Sequence, residues 1–282
     1  MTKLGIVDLL KLFGFTEARS KLVRHQDKRY DVHDLMRQGW LETYQALQKR
    51  PIFDNLDFIV SFVGLEGSRA LLAGVYRVGQ RKDASLISPP AGCPLTNWFV
   101  PGEHHYELEK VSGYEGLEKR VVIDWGRGAL AWHQKTTNKE VLEIRPPGAS
   151  LVVFQDYLEF TLTFSELKEI FQKPEANSEW RSRLSAVAGI YLILATRSGH
   201  QYIGSASGTG GIWGRWANYA KNGHGGNAEL EKLLQSEEGY PNSFTFSILQ
   251  ILPVTTARAE VLKRESYYKA KLGSRATGLN RN

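Results

Sequence analysis

Two short runs near the C-terminus, residues 189–195 and 201–203, constrain the fold more than any other feature of the sequence. Both are rich in isoleucine, leucine and tyrosine, and the polar segment 196–199 between them ends in glycine. Runs of this kind on either side of a glycine-containing turn are typical of a β-hairpin. The first run opens with the triplet Gly-Ile-Tyr, and the triplet Tyr-Ile-Gly follows after ten residues, so we expect the two triplets on adjacent strands.

The residues around this hairpin predict a small domain, which we place at residues 185–282. Helix, helix, strand and helix follow the hairpin at about 212–221, 228–234, 244–251 and 256–271. The predicted order is therefore ββααβα. Nine of the 28 residues between 199 and 226 are glycines, which either let a ligand approach the backbone closely or form a flexible connector.

The segment before this domain, residues 1–175, changes character at Pro51. Residues 1–50 carry apolar side chains at helical spacing, and the proline ends that stretch. Short β-rich runs follow at 57–63, 70–78, 105–111, 120–125, 141–144 and 151–154. A further helical stretch is interrupted by Pro174, and we place the domain boundary near 175–186. We thus expect an α+β chain, in which a helical lead-in and a β-rich domain precede the small ββααβα domain.

Composition excludes several classes of protein. The sequence has no run of about 18 apolar residues that could cross a bilayer. The apolar run at the N-terminus is too short for a signal peptide, because Asp8 and Lys11 interrupt it. The single cysteine, Cys93, excludes internal disulfides and a cysteine-built zinc site. We therefore expect a cytoplasmic protein with no membrane partner.

Positive charge is concentrated in the last third of the chain. Residues 184–282 carry 11 basic and 6 acidic side chains, whereas residues 1–183 carry 25 and 24. A basic domain favours a polyanionic partner, because Lys and Arg neutralise phosphates and release counterions. A merely soluble basic surface explains the charge equally well, so the charge alone leaves both interpretations open.

The last predicted helix carries a carboxylate on its apolar face. One stripe at helical spacing contains Val261, Leu262, Glu265, Tyr268 and Leu272. Basic residues spread round the outside of the same helix, namely Lys263, Arg264, Lys269 and Lys271. A carboxylate on a core-facing stripe is costly unless it is paired or bound to metal. We therefore expect Glu265 either to form a salt bridge with an arginine at the edge of the stripe or to bind a metal ion.

The first helix after the hairpin carries a polar face. This face contains Arg215, Asn218, Tyr219 and Asn222, at the spacing i, i+3, i+4 and i+7. The packing side contains Trp213, Trp216, Ala217 and Ala220. Either the polar face is simply exposed, or Arg215 and Tyr219 together contact a phosphate, on which a guanidinium can bind two oxygens in a fixed fork.

Aspartate is absent after Asp156, which limits the metal chemistry of the C-terminal domain. Its only carboxylate side chains are Glu229, Glu231, Glu237, Glu238, Glu260 and Glu265. Two-metal hydrolysis of a phosphodiester needs several clustered oxygen ligands. The count therefore favours one glutamate, one divalent ion and several waters, an arrangement that suits Mg²⁺ or Mn²⁺.

Together these residues resemble the GIY-YIG nuclease family, which is named for the two strand triplets. The resemblance covers about residues 187–282 and includes the helical Arg215, the helical Glu265 and the closing triplet Gly-Leu-Asn at 278–280. It implies a ββααβα nuclease domain that hydrolyses DNA with a single metal ion.

The resemblance also implies a role for each site residue. Tyr191, or a neighbouring tyrosine, accepts the proton of the attacking water, and Tyr202 helps to position the site. Arg215 stabilises the pentacovalent phosphate, Tyr219 stands where members carry His or Tyr, and Glu265 holds Mg²⁺ against the leaving oxygen. A nearby guanidinium and a metal ion would lower the pKa of a tyrosine from its ordinary value of ~10 and make a phenolate accessible.

Further residues of the domain resemble family positions outside the catalytic set. Gly189, Gly204 and Asn280 are expected to be structural. Candidate DNA contacts are His224, Asn227, Lys263, Arg264 and Lys269. Ser205 is a departure, because excision-repair members carry a lysine after the second triplet, and the loop 205–214 is a few residues longer than usual.

A nuclease domain of this size buries little DNA surface, so we expect specificity to come from residues 1–175. An aromatic and basic face there would comprise Tyr114, Trp125, Trp132 and His133 with Arg120, Arg127 and Lys135. A separate basic cluster comprises Lys21, Arg24, His25, Lys28 and Arg29. Core packing and a solvated surface are the alternatives for these two groups.

The sequence therefore predicts a Mg²⁺-dependent DNA endonuclease, with a restriction or phage-defence role as the first interpretation. A structure-specific repair or recombination nuclease and a non-catalytic DNA-binding protein on a nuclease scaffold are the alternatives. One active site per chain has to cut two strands, which favours a homodimer on DNA or sequential nicking.

Overall fold

The structure is a computed structural model that describes residues 3–16, 19–126, 131–152, 154, 156–236, 240–276 and 278–280. The chain divides into two compact units, Met1–Pro147 and Gly148–Asn282, which we call the N-terminal unit and the C-terminal unit. Both units combine helices with strands, so the protein is a mixed α/β structure. None of the described helices is long and apolar enough to cross a lipid bilayer.

The N-terminal unit is built on an eight-stranded sheet. Its elements are α1 (Ile6–Lys11), β1 (Ser20–His25), α2 (Val32–Arg37), α3 (Leu41–Ala46), β2 (Leu47–Gln48), β3 (Phe58–Gly64), β4 (Arg69–Asp83), β5 (His104–Lys110), β6 (Val121–Asp124), β7 (His133–Lys135) and β8 (Val141–Ile144). The strands follow the order β2-β5-β4-β3-β1-β7, and β6 pairs with both β4 and β8. Strand β1 runs parallel to β3, and the other pairs are antiparallel.

The prediction that residues 1–50 are helical is wrong in its middle part, where β1 enters the sheet between β3 and β7. Leu22 and Val23 of this strand are both fully buried although they point to opposite faces. A short strand buried on both faces has a continuous apolar run, and periodicity cannot distinguish such a run from part of a helix. The strand predicted at 151–154 is also absent, since the residues described there form none.

Two of the aromatic residues proposed for a DNA-contacting face belong instead to the core of the N-terminal unit. Tyr114 and Trp125 are 4% and 0% exposed, because both pack into the main apolar cluster beneath the sheet. Trp132 and His133 are half-buried and stay accessible. Arg127, one of the three basic residues proposed for this face, lies outside the described residues.

The C-terminal unit is a four-stranded antiparallel sheet with helices on both faces. Its elements are β9 (Leu162–Thr163), α4 (Phe164–Gln172), α5 (Ser178–Ser185), β10 (Val187–Ala195), β11 (Gln201–Ala206), α6 (Gly211–Asn222), α7 (Ala228–Ser236), β12 (Phe244–Pro253) and α8 (Arg258–Lys271). The strands follow the order β11-β10-β12-β9. From β10 onward the elements have the order ββααβα.

The division between the units lies before residue 148, earlier in the chain than the predicted boundary near 175–186. Strand β9 pairs with β12, and Leu167 of α4 and Trp180 of α5 pack into the core of the C-terminal unit. Strand β9 is only two residues long, and its partner lies far along the chain, so no local pattern in the sequence marks it.

The two faces of the C-terminal sheet carry different side chains. On the face under α4, α5 and α6, Tyr191 and Phe246 of the sheet pack against Trp216 and Tyr219 of α6. The opposite face packs Ile190 and Ile203 against Val261 of α8. Strand β11 is an edge strand, so side chains from both faces reach the surface along it.

His25, at the end of β1, makes the N-terminal unit sensitive to acid. The side chain is 2% exposed, its Nε2 lies 3.2 Å from Gln45 Oε1, and burial lowers its pKa from 6.5 to about 4. The unfolded chain takes up this proton near pH 6.5 but the folded chain only near pH 4. The free energy of unfolding is therefore expected to fall by about 3 kcal/mol between these two pH values.

Denaturant titrations of the wild type and of His25→Gln at pH 7 and at pH 4 measure this contribution. The wild type should lose about 3 kcal/mol more than the variant on acidification. Equal losses in the two proteins would contradict the burial of a neutral imidazole at this position.

Candidate active site

The hairpin β10–β11 brings the two tyrosines of the strand triplets onto one face of the sheet. Tyr191 pairs with Gly204, and Ile193 pairs with Tyr202, so Tyr191 and Tyr202 point the same way. A Cβ atom on Gly204 would collide with the phenol ring and hydroxyl of Tyr191. A Cβ atom on Gly189 would likewise collide with the carbonyl oxygen of Gln250 in β12. The glycines of both triplets therefore make room for neighbouring groups.

Gly204→Ala is expected to destabilise the C-terminal unit, because the added methyl group has no space beside Tyr191. Overpacking of a core of this kind costs about 1–3 kcal/mol. Gly214→Ala is a matched control, since a Cβ atom at this position in α6 meets nothing within 4 Å. Alanine in a helix interior should leave the stability unchanged or raise it by up to ~1 kcal/mol. Urea titrations of the two variants compare them, and equal stabilities would contradict the collision.

Arg215 of α6 holds the centre of the site together. Its Nε donates to the Tyr191 hydroxyl at 3.1 Å, and its Nη2 donates to the Tyr219 hydroxyl at 3.1 Å. Its Nη1 donates to the carbonyl oxygen of Gly225 at 2.7 Å. The two tyrosine hydroxyls also lie 3.1 Å apart. The structure thus brings Tyr191, Arg215 and Tyr219 into one hydrogen-bonded group, with Tyr191 and Tyr219 fully buried.

The guanidinium of Arg215 keeps its charge and part of its donor capacity. A guanidinium has five N–H groups, and the contacts within the described chain engage three of them, all with neutral oxygens. Burial lowers the pKa of Arg215, but Tyr191 and Tyr219 raise it more, so the net pKa lies above its ordinary value. Two N–H groups of a permanent cation are therefore left for a ligand.

The pKa values of the two buried tyrosines are raised despite the nearby guanidinium. Burial raises the pKa of Tyr191 and that of Tyr219, and the opposing effect of Arg215 is smaller in both cases. The guanidinium alone therefore does not offset burial, and the expectation that a guanidinium and a metal ion together make a phenolate accessible stays a prediction. Both hydroxyls accept hydrogen bonds from Arg215 and thus help to hold the guanidinium in place.

The loop between α6 and α7, residues 223–227, contributes its backbone to the site. Gly225 has a φ of +56°, and a Cβ atom on it would contact the Tyr219 ring at 2.6 Å, so only glycine brings this carbonyl to Arg215. Asn227 accepts a hydrogen bond from Leu230 N at the start of α7. His224 Nδ1 accepts one from Gly226 N at 3.2 Å. His224 and Asn227, proposed as DNA contacts, thus have partners within their own loop.

Glu265 of α8 is buried and paired. It is 9% exposed, its Oε1 lies 2.6 Å from Lys269 Nζ, and its Oε2 accepts a short hydrogen bond from Ser205 Oγ. The sequence predicts Lys269 on the outside of the helix as a DNA contact, which is wrong because Lys269 is only 3% exposed. The buried stripe of α8 contains Val261, Glu265 and Lys269, and the predicted stripe members Leu262 and Leu272 are exposed.

A cleft of about 560 Å³ at strand β11 collects these residues. Its charged and polar walls include Tyr202, Ser205, Arg215, Asn218, Arg258 and Glu265. Tyr202, Arg215 and Glu265 therefore open onto the same space, although Tyr202 and Glu265 come from opposite faces of the sheet. Tyr191 and Tyr219 do not line the cleft and support it from behind.

Arg258 stands at the start of α8 and lines the cleft, although it is not among the site residues predicted from the sequence. The spacing in the sequence could have indicated this residue, because Arg258, Leu262 and Glu265 fall on one helical stripe at i, i+4 and i+7. The loop at the other end of the cleft is shorter than predicted. Strand β11 extends to Ala206 and α6 begins at Gly211, which leaves 207–210 between them.

The donor set at Glu265 fits one divalent cation with a largely aqueous shell. An ionised carboxylate offers about four lone-pair positions, and Lys269 and Ser205 engage one oxygen each. Of the other described glutamates, Glu229 and Glu260 pair with neighbouring cations on their own helices. No group of three or more His, Cys, Asp or Glu side chains that could hold a metal occurs in the described part of the chain. Glu237 and Glu238 lie outside it.

The remaining predicted residues lie around this site. Asn280 is 1% exposed, and its side chain makes two 2.8 Å hydrogen bonds with the backbone of Ile203, a purely structural contact that holds β11 in place. Lys263 and Arg264 are exposed on α8, and Arg264 pairs with Glu260 at 2.9 Å. Both side chains thus remain accessible to a polyanion.

Comparison with known proteins gives a partial likeness. No model of a known protein family matches the chain, and no curated protein matches it. The solved catalytic domain of the intron endonuclease I-TevI, in a mutant form, is 25% identical over 34% of this chain and 94% of that domain, with a TM-score of 0.28. The catalytic domain of homing endonuclease I-TevI is 28% identical over 33% of this chain and 96% of that chain, with a TM-score of 0.27. At these TM-scores the likeness does not define the fold or the activity of this protein.

Proposed function

We propose that this protein is a DNA endonuclease that hydrolyses phosphodiester bonds with one divalent metal ion, and that residues 185–282 of its C-terminal unit form a GIY-YIG nuclease domain. The proposal rests on one observation. A guanidinium with two uncommitted N–H groups and a buried carboxylate line a single open cleft, next to the hairpin that carries both strand triplets. A packed core between Arg215 and Glu265 would have argued against the proposal.

The side chains of the cleft suit an in-line attack of water on a phosphodiester. Arg215 binds the phosphate through its two remaining donors and stabilises the charge that develops in the transition state. Tyr202 faces the cleft, so we assign to it the role of general base, which takes the proton of the attacking water. The water oxygen then bonds to phosphorus as the bond to the leaving oxygen breaks. Tyr191 and Tyr219 hold Arg215 in position and do not touch the reacting atoms.

Glu265 is the residue that would hold the metal ion, and Lys269 and Ser205 keep its carboxylate in place. Mg²⁺ or Mn²⁺, when bound, supplies positive charge for the oxyanion of the leaving group. The lysine that excision-repair nucleases carry after the second triplet is replaced here by Ser205, and the buried ammonium next to the carboxylate comes from Lys269 of α8.

Cleavage of supercoiled plasmid by the full chain tests the proposal. We expect nicked and linear products with Mg²⁺ or Mn²⁺, and intact plasmid in EDTA. Plasmid that is bound but never cut under any of these conditions would favour a non-catalytic DNA-binding protein. Branched and single-stranded substrates cut faster than duplex DNA would favour a structure-specific nuclease over a restriction or phage-defence enzyme.

DNA binding is expected to weaken steeply with salt, because the excess positive charge lies in residues 184–282. Each phosphate contact releases counterions, so the logarithm of the affinity should fall linearly with the logarithm of the salt concentration. Fluorescence anisotropy with a labelled duplex in EDTA, between 50 and 200 mM salt, measures the slope. A flat response would contradict a polyanionic partner for this unit.

We propose that the N-terminal unit selects the DNA target, since the nuclease domain alone offers little contact area. A restriction or phage-defence role follows most simply from a nuclease joined to a target-selecting unit. Two chains acting together on one site would cut both strands, and the ratio of linear to nicked plasmid at different protein concentrations distinguishes this from sequential nicking.

A further inference from the structure

A cavity of about 690 Å³ in the N-terminal unit lies outside the residues that the proposed catalysis uses. Its walls come from the end of β1 and the loop after it, from α3 and β2, and from two tryptophans, Trp98 and Trp132. Its volume falls within the ~300–1,000 Å³ typical of pockets for small ligands. The cavity is therefore large enough for a planar ring with attached groups.

Five aromatic rings form part of the lining of this cavity. Tyr44 and Trp98 lie 6.2 Å apart between ring centroids, and Trp132 packs edge-on against His133 at 4.9 Å. His25 lies 5.5 Å from Tyr44 and 6.3 Å from Trp132, which joins the two groups of rings. Surfaces of this kind stack on flat ligands, and stacking accepts any base because every base has a π-face.

One guanidinium is fixed in the aromatic wall. Arg29 lies 4.7 Å from the centre of the Trp98 ring, and its Nε and Nη2 donate to the carboxylate of Asp27. Asp27 also accepts from Arg29 N and from the Tyr44 hydroxyl. These four contacts occupy the lone pairs of a carboxylate, so Asp27 positions Arg29 and Tyr44 and has no capacity left for a ligand.

The charge around the cavity is predominantly positive, although basic and acidic residues nearly balance over residues 1–183. The basic residues of the wall are Arg24, Lys28, Arg29, Lys49 and Arg50. Asp27 is its one acidic residue, and Arg29 neutralises it. Lys49 and Arg50 are exposed at the rim, where they can reach phosphates. A cationic ligand would be repelled here, whereas an aromatic ring that carries phosphate would be attracted.

We propose that this cavity binds one nucleotide of the DNA substrate, with the base stacked inside and its phosphates at the cationic rim. This inference rests on the proposed function, because the nucleotide belongs to the DNA that the C-terminal unit cuts. A base can enter such a cavity only when it leaves the helical stack, and it leaves more easily at a mismatch or in single-stranded DNA. The N-terminal unit would thus recognise its target by holding an extruded base.

Binding in EDTA, which does not depend on cleavage, tests this proposal with the full chain. The probes are labelled duplexes with random flanks, either fully matched or with one central mismatch, and anisotropy measures their affinities. The wild type should prefer the mismatched duplex. Trp98→Ala should bind that duplex about tenfold more weakly and lose the preference, because a stacking surface is removed. Phe13→Ala, an exposed aromatic residue outside the cavity, should retain the preference.

A charge reversal at the rim provides a second variant that does not depend on the packing of Trp98. Lys49→Glu/Arg50→Glu should weaken binding of the mismatched duplex more than Lys11→Glu/Lys119→Glu, which changes the net charge equally at exposed sites outside the cavity. If Trp98→Ala fails to fold, the comparison of these two double variants tests the proposal. Equal weakening by the two double variants, or a preference that survives Trp98→Ala, would overturn the proposal.

Competition by free deoxynucleoside monophosphates distinguishes the two possible ligands of the cavity, a free nucleotide and a base extruded from DNA. We expect them at millimolar concentration to compete weakly with the mismatched duplex. Tight binding of a free nucleotide that DNA does not displace would overturn the assignment to an extruded base. A chain that binds through this cavity but never cuts plasmid would refute the nuclease proposal alone. A chain that cuts while Trp98→Ala keeps its preference would refute this inference alone.

Discussion

Glu265→Gln is expected to abolish plasmid cleavage, with a loss of at least ~10³-fold in rate, while DNA binding in EDTA is retained. The amide keeps the shape of the carboxylate but cannot supply the negative charge that a divalent cation requires. Glu260→Gln is a control on the same helix, because Glu260 is more exposed and pairs with the exposed Arg264. Rates of nicking with Mg²⁺ and with Mn²⁺, measured for both variants, provide the comparison.

The ion pair with Lys269 requires a second variant for a clear result. Glu265→Gln leaves the buried Lys269 ammonium without its partner, and breaking a buried pair in this way can cost about 3–5 kcal/mol. The double variant Glu265→Gln/Lys269→Met removes both charges and should recover stability, since an apolar replacement of a buried pair is often neutral or stabilising. It should still be inactive. Recovery of cleavage in the double variant would show that Glu265 only balances Lys269, and the metal role would be refuted.

Local patterns in the sequence were sufficient for the elements from β10 onward but not for β9 or for the first 50 residues. The hairpin and α6 combine a turn signal or a repeated apolar spacing with enough length, so β10, β11 and α6 begin and end within three residues of their predicted positions. Strand β1 carries its apolar residues in one continuous run, and only its pairing with β3 and β7 makes it a strand. Such pairing is a tertiary effect that overrides local propensity.

The candidate site shows the same contrast at the level of side chains. Arg215 and Tyr219 stand at i and i+4 on one helix, so their contact is local and could be predicted. Lys269 stands four residues after Glu265, which is also a local pair, but a lysine is normally assigned to the surface. The burial of Lys269 depends on packing around the carboxylate, so the pair was visible in the sequence and its burial was not.

The cavity of the N-terminal unit could not be predicted, because its parts come from separate stretches of the chain. Arg29 and Trp98 approach each other through the fold, and Trp132 belongs to a third segment. The sequence did mark two fragments of it, a basic cluster that includes Arg29 and an aromatic and basic face that includes Trp132 and His133. Composition thus identified suitable residue types, but only the three-dimensional arrangement separates the accessible Trp132 from the core residue Trp125.

Arg215→Ala is expected to lose about 3–4 kcal/mol of transition-state stabilisation, a fall of about 10²–10³-fold in the rate at saturating DNA. The two N–H groups that the described chain leaves uncommitted can bind phosphate oxygens, and they gain most when the phosphate carries extra negative charge. Affinity for DNA should change little, because many other cations contribute to binding. Arg215→Lys should recover little activity, since an ammonium lacks the planar fork that engages Tyr191 and Tyr219 together.

The side chain of Lys221 provides a matched control, because it is exposed on the same helix and lies outside the cleft. Lys221→Ala removes one positive charge from α6 and should leave the rate at saturation unchanged. Added guanidinium ions should partly restore cleavage by Arg215→Ala, since the small cation can enter the space that the side chain leaves. Urea titrations measure in parallel how much stability is lost with the hydrogen bonds to Gly225 and the two tyrosines. If affinity collapses while the rate at saturation stays normal, Arg215 is only an anchor for the DNA backbone, and the charge it presents in the cleft plays no part in the chemistry.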